Sequence, residues 1–374
     1  MKNLRGTAGA SVDDRGSEGA ALASSICVRD DVRAMEAYPV TPAEGMVKLD
    51  AMENPYRLPE ALREQVARAV ANAAMNRYPD PRAPTLQGRL REVMQVPPEA
   101  GLVLGNGSDE IISIVTQAVA RPGASVLAIE PSFVMYKMSA RFAQVRYIGV
   151  PLRADFSLDA AAVLAAIREH APAVVWIAYP NNPTGNLFDD DGIERILAAA
   201  PGLVVIDEAY HIFAGRSFLA RLPEFPNLMV LRTMSKVGLA GIRLGYAAAA
   251  PAWIREFDKV RPPYNVNVLT QAAAEVLLDR MDVFEDQARR IRAERGELMD
   301  RLAEMDGVTP FPTDANFILA RVPDAPRTMR GLLERRVLVR ILDGSHPLLA
   351  NCLRFTVGTP AENQLLLAAL GEAL

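Results

Sequence analysis

The sequence predicts an α/β protein, with a large domain on a mostly parallel sheet and a smaller α+β domain after it. Three observations carry this expectation. Short, nearly all-apolar runs at 102–104, 125–129, 173–178, 203–206 and 228–231 alternate with stretches of helical spacing, as strands buried on both faces do. Each run ends in polar, Gly or Pro residues, where open α/β sheets carry their chemistry. Past residue 304 the apolar runs 315–320, 337–341 and 353–357 look more antiparallel in character, with helices between and after them.

Composition narrows the class. At 374 residues the length suggests about two domains. A net charge of −4 argues against a nucleic-acid protein. No apolar stretch approaches the roughly 20 residues that span a bilayer. The first residues, with acids early and no apolar core, are not a secretory signal. Cys27 and Cys352 imply neither a disulfide framework nor a cysteine metal site, and three isolated histidines do not make a zinc site. The expectation is a cytoplasmic enzyme with no metal and no membrane or nucleic-acid partner.

In order, residues 1 to 30 lack periodicity and read as a flexible extension. An irregular arm runs through Tyr38 to Tyr56. Helices are expected at 59–74 and 84–95, separated by Asn76-Arg77-Tyr78-Pro79-Asp80-Pro81, whose closely spaced prolines cannot continue a helix. After the strand at 102–104, Gly105 to Glu110 turn into an apolar helix at 110–120. The amphipathic stretch 282–304 reads as a long connecting helix. The expected division is 46–285 for the large domain, with 31–45 and 286–374 forming the small one.

Four polar clusters then stand at strand ends. Gly107-Ser108-Asp109 opens a helix whose free amides suit a phosphate, although an N-cap explains the same residues. There the carboxylates of Asp109 and Glu110 have to turn away and leave the contact to the backbone. Asp207 can pair with a protonated ring nitrogen or cap a loop. Tyr210 and Asn182 can reach a phenolic oxygen, or serve as an interfacial tyrosine and a turn residue. Phe133 can stack on a ring or fill the core. In Ser235-Lys236 and Arg243, a lysine stands beside phosphate-binding types. Lysine is scarce here, five against thirty-six arginines, so a generic surface cation would more often be arginine.

Taken in order, Gly-Ser-Asp, an aromatic, Asn182-Pro-Thr-Gly185, Asp207-Glu-Ala-Tyr210, Ser235-Lys236 and Arg243 resemble the class I/II, fold-type I aminotransferases that use pyridoxal 5'-phosphate. The likeness runs from about residue 35 to the C-terminus. Within that superfamily the chain is most similar to the histidinol-phosphate aminotransferase family. Glu53-Asn-Pro-Tyr56, Asn76-Arg-Tyr-Pro79, Ala240-Gly-Ile-Arg243 and Leu353-Arg-Phe-Thr-Val-Gly-Thr-Pro-Ala-Glu-Asn363 carry this finer resemblance.

The resemblance implies a fold, a reaction and a set of roles. Lys236 is the Schiff-base lysine and moves a proton during transfer of an amino group from L-histidinol phosphate to 2-oxoglutarate. Asp207 sits on the ring nitrogen, with Asn182 and Tyr210 on the phenolic oxygen and Phe133 against the ring. Ser108, Asp109, Ser235 and Arg243 hold the cofactor phosphate, and Tyr78 reaches it from the partner in a homodimer. Tyr38, Asn182, Arg340 and Arg354 bind substrate. An aromatic aminotransferase and a threonine-phosphate decarboxylase of the same fold remain alternatives. Met52 departs from the family, which usually has asparagine there. Phe133 stands where several relatives have tyrosine.

Overall fold

The computed structural model describes residues 27–37 and 41–374. Two compact units divide the chain, residues 1–42 and 43–374. In the first, a short helix, Asp30–Arg33, carries acids in its first turn and a basic residue in its last, the order that the helix dipole favours. Tyr38 and most of the expected extension lie outside the described residues.

The second unit begins with strand β1 (Val47–Lys48) and the helices Glu60–Ala71 and Pro84–Val93. Strands β2 (Gly101–Asn106), β3 (Ser125–Glu130), β4 (Arg146–Pro151), β5 (Val174–Ala178), β6 (Leu203–Asp207), β7 (Leu228–Thr233) and β8 (Leu244–Ala249) form one sheet, ordered β2-β8-β7-β6-β5-β3-β4. Only β8 runs against its neighbours. Its first residues therefore stand at the edge where the other strands end.

Alternation along the strands divides the core between two faces. Leu127, Val175, Ile177, Val204, Ile206 and Val230 pack on one side. Val126, Val174, Trp176, Val205, Met229 and Leu231 pack on the other. All are 0 % exposed, which is why these runs carry almost no polar residue.

Strands β4 and β8 do not show as apolar runs in the sequence. The first is an edge strand with polar and apolar residues mixed. The second, Leu-Gly-Tyr-Ala-Ala-Ala, is mostly glycine and alanine, which have low strand propensity. Small side chains are required there because Gly245 lies against the start of the helix Ser108–Ala118 that follows β2. A Cβ on Gly245 would stand 2.6 Å from Gly107 C and Ser108 N.

The helix Met281–Ala303 leads into β9 (Thr309–Pro310), β10 (Phe317–Arg321), β11 (Val337–Leu338), β12 (Arg340–Ile341) and β13 (Cys352–Thr356). The single strand expected at 337–341 is two. Val337 and Leu338 pair with β1, whereas Arg340 and Ile341 pair with β13 in the antiparallel sheet β12-β13-β10-β9. One apolar run thus serves two sheets, and no local signal marks the change at Val339. The Thr-Pro-Ala-Glu-Asn motif closes the chain as a capping box: Thr359 and Glu362 cap the helix Pro360–Ala373 reciprocally. Asn363 donates to Glu294 at 3.0 Å and ties that helix to Met281–Ala303.

Candidate active site

The strand ends converge on a cavity of about 250 Å3. Its wall includes Ser108, Phe133, Asn182, Asp207, Tyr210 and Lys236, and the same wall carries Asp109, Ser235 and Arg243. Nine residues singled out in the sequence are therefore brought to one place. They come from the ends of β2, β3, β5, β6 and β7 and the start of β8, so each strand delivers one cluster.

Lys236 follows β7 in a tight turn that Gly238 completes at φ 136°, a backbone conformation open to glycine. Its Nζ donates to the Ala51 carbonyl at 2.8 Å. Loss of hydration, then the Arg354 charge, lower its pKa to about 8. A substantial neutral fraction follows near neutrality, roughly a tenth at pH 7. A neutral amine is the form that attacks a carbonyl.

Asp207, at the end of β6, is 4 % exposed. Burial raises its pKa to about 6, against the lowering effect of two donors, the Tyr136 hydroxyl and the Ala209 amide. Tyr210 is buried beside it, and its phenol is pushed above the ordinary value mainly by desolvation. Asn182 Nδ2 donates to the Tyr210 hydroxyl at 3.2 Å, and Asn182 Oδ1 accepts from Arg354 Nη1 at 2.5 Å. Arg354 also donates to the Asp50 carbonyl at 2.9 Å and lies over the Phe317 ring.

At the other end of the cavity is an anion cradle. The helix Ser108–Ala118 begins after Gly107, which has φ 82° and offers no side chain to cap the first amides. These amides are the donors a helix start leaves open. Ser235 Oγ accepts from Arg243 Nη1 at 3.3 Å. A Cβ on Gly107 would stand 2.7 Å from Arg243 Nη2, so the glycine makes room for the guanidinium. These residues fit a phosphate ester.

The acids beside that cradle differ in part from expectation. Glu110 does turn away, accepting from the Asn106 amide at 2.6 Å and Asn265 at 2.7 Å. Asp109 does not. Its carboxylate lines the cavity 3.8 Å from Arg243. Desolvation raises its pKa, with Arg243 and Lys236 opposing, and the arginine offsets its repulsion of an anion.

Two other expected site residues stand elsewhere. Tyr78 is 81 % exposed and stacks on Tyr264, with ring centroids 4.5 Å apart; it does not line the cavity of its own chain. Arg340 faces Arg354 across β12 and β13 but is not part of the cavity wall. Tyr38 lies outside the described residues. Residues without an assigned role in the sequence also enter the site. The Ala51 carbonyl and Met52 do so, and Met52 adopts φ 52° with its backbone held by Thr356 and Asn316. Glu208 and Arg232 form a buried pair behind Asp207, at 2.8 Å. An arginine within the apolar run of β7 was the available signal, since such a residue needs a buried partner.

Fold and site together are those of an α/β aminotransferase, and the family described as aminotransferase class I and II matches residues 44–370. The chain is 57 % identical over 352 residues to histidinol-phosphate aminotransferase 2 of Cupriavidus pinatubonensis, covering 93 % of this chain and 96 % of that one. It is 58 % identical to histidinol-phosphate aminotransferase 1 of Ralstonia nicotianae, covering 93 % and 94 %. Among solved structures, the histidinol-phosphate aminotransferase of Sinorhizobium meliloti in complex with pyridoxal-5'-phosphate superposes with a TM-score of 0.82 at 25 % identity, over 92 % of this chain and 97 % of that one. The chain belongs to the histidinol-phosphate aminotransferases of the class I and II family.

Proposed function

We propose that the protein transfers the amino group of L-histidinol phosphate to 2-oxoglutarate with pyridoxal 5'-phosphate as cofactor, in the cytoplasm. The observation that carries this reading is one cavity holding a lysine of lowered pKa, a buried carboxylate and a helix-start anion cradle. When bound, the cofactor supplies an aldehyde and a ring that withdraws electrons from the substrate α-carbon.

The chain's own residues then have distinct tasks. Lys236 Nζ leaves the Ala51 carbonyl and carries a proton to and from the α-carbon. Asp207 keeps a ring nitrogen protonated, while Asn182 and Tyr210 orient a phenolic oxygen and Phe133 covers a ring face. The opening amides of the helix Ser108–Ala118, with Ser108, Asp109 by its amide, Ser235 and Arg243, hold the cofactor phosphate. Arg354, with Arg340 and Tyr38, binds the phosphate of the donor or the carboxylates of the acceptor, because a guanidinium pairs bidentately with either group. Tyr78 is read as serving the partner's cavity in a homodimer; its 81 % exposure next to Tyr264 supports that reading.

The test is a half-reaction. Purified protein loaded with pyridoxal 5'-phosphate is mixed singly with histidinol phosphate, phenylalanine or threonine phosphate, and its visible spectrum is followed. Rapid conversion by histidinol phosphate alone is expected. Preference for phenylalanine would move the function to aromatic transamination, and decarboxylation of threonine phosphate would refute transamination as the main reaction.

A further inference from the structure

We propose that Tyr136 is a positioning residue for this reaction: a buried hydroxyl that holds the Asp207 carboxylate ionised and aimed into the cavity. The proposal rests on the function read above and assigns a role to a residue outside the cavity wall. Tyr136 Oη donates to Asp207 Oδ2 at 2.7 Å, and the Ala209 amide donates to Oδ1 at 3.1 Å. Each carboxylate oxygen therefore has one donor, which fixes both the plane and the direction of the acid.

The tyrosine ring is itself fixed by two other aromatic rings. It is 0 % exposed. Its ring stacks on Trp176 of β5 at 5.1 Å and 10°, and meets Phe133 edge-on at 5.7 Å and 86°. Phe133 lies one helical turn earlier, so a single turn presents one aromatic to the cavity and a hydroxyl to the acid behind it. Burial and the adjacent carboxylate push the phenol further from ionisation, which keeps it a donor.

The electrostatics around Asp207 explain why a donor is needed. Burial opposes its charge, and Asp109 and Glu208 add to that opposition. Tyr210 and Lys236 border the same cavity. Against these, Tyr136 is the larger of the two hydrogen-bond effects favouring the carboxylate, ahead of the Ala209 amide. Removing the hydroxyl raises the Asp207 midpoint. The acid is then neutral over more of the pH range in which it has to keep a ring nitrogen protonated.

The experiment titrates full-length protein labelled with carbon-13 at aspartate carboxyls, first stripped of cofactor and then reloaded, with Asp207→Asn to assign the signal. In Tyr136→Phe the Asp207 midpoint is expected to rise from near 6 by about one to two units, the size of a hydrogen bond to a charged group. Affinity for pyridoxal 5'-phosphate at pH 7 is expected to fall about two- to tenfold and to recover above the new midpoint. An unchanged midpoint, or a loss of affinity equal at every pH, would overturn the proposal. If Tyr136→Phe does not fold, 3-fluorotyrosine at position 136, a stronger donor, carries the test: a lowered midpoint supports the assignment and an unmoved one refutes it. Failure of the wild-type protein to bind pyridoxal 5'-phosphate would instead refute the function on which the proposal rests.

Discussion

Replacing Arg232 with methionine tests how the acid of the site is anchored. Arg232 is 5 % exposed and Glu208 0 %. The substitution removes bonds from Nε and Nη2 to Glu208 Oε2 at 3.0 and 2.8 Å, from Nη2 to Ser217 at 2.9 Å, and from Nη1 to the Tyr246 hydroxyl at 3.3 Å. Glu208 keeps the Ser217 hydroxyl and the Phe218 amide. Breaking a buried pair from one side costs about 3–5 kcal/mol because the other charge stays behind. The two remaining donors, and a cavity of about 430 Å3 beside Arg232, Ser217 and His211 that admits water, favour the lower end. A loss near 3 kcal/mol in urea unfolding is therefore expected. In Glu208→Gln/Arg232→Met, where no charge is stranded, the loss should shrink to about 1–2 kcal/mol. A single variant no less stable than the double would refute the reasoning. Glu208 lies between Asp207 and Tyr210 in the chain, so the single variant should also bind pyridoxal 5'-phosphate more weakly.

Three further outcomes follow from the geometry. Because the pKa of Lys236 is lowered to about 8, the neutral amine grows as pH rises. The rate at which stripped protein takes up pyridoxal 5'-phosphate should climb almost tenfold per unit below pH 7 and level off above 8; a midpoint near 10 would contradict the burial argument. Arg354→Ala should raise KM for histidinol phosphate and for 2-oxoglutarate together, each about 10- to 150-fold, the size of hydrogen bonds to charged groups. An effect on one substrate alone would refute the shared site. Gly245→Ala forces a Cβ against the backbone of Gly107 and Ser108. It should cost about 1–3 kcal/mol in urea unfolding and weaken binding of inorganic phosphate or cofactor, whereas unchanged phosphate binding would remove β8 from the cradle.

The fold was legible where burial leaves a local mark. Strands β3, β5, β6 and β7 are covered on both faces, so their central residues are apolar, and the apolar runs match the strand limits to within two residues. Strand β8 escaped because its place between β2 and β7 selects for small residues rather than strand formers. Its antiparallel course is nevertheless what returns Arg243 to the edge where the other strands end. The split at Val339 escaped for a different reason. A strand's sequence reports that it is buried, not which partner its backbone pairs with.

The same distinction runs through the site. A strand end that presents a polar cluster to a cavity leaves a compact motif, and nine residues singled out in the sequence line one cavity. Residues that act behind the wall leave none, because their partners are far away in sequence. Tyr136 reaches Asp207 across 71 positions and Lys236 meets the Ala51 carbonyl across 185. Both contacts are specific only after the chain has folded. The cavity therefore has two layers of different legibility. One is an inner set fixed by local chemistry at strand ends. The other is an outer set of hydrogen-bond partners and ion pairs, with Tyr136 on Asp207 and the Ala51 carbonyl on Lys236, that fixes where those side chains point. The Arg232 and Tyr136 variants probe this outer layer while leaving the inner residues in place. If transamination depended on the inner residues alone, those variants would lose stability without changing how cofactor binding responds to pH.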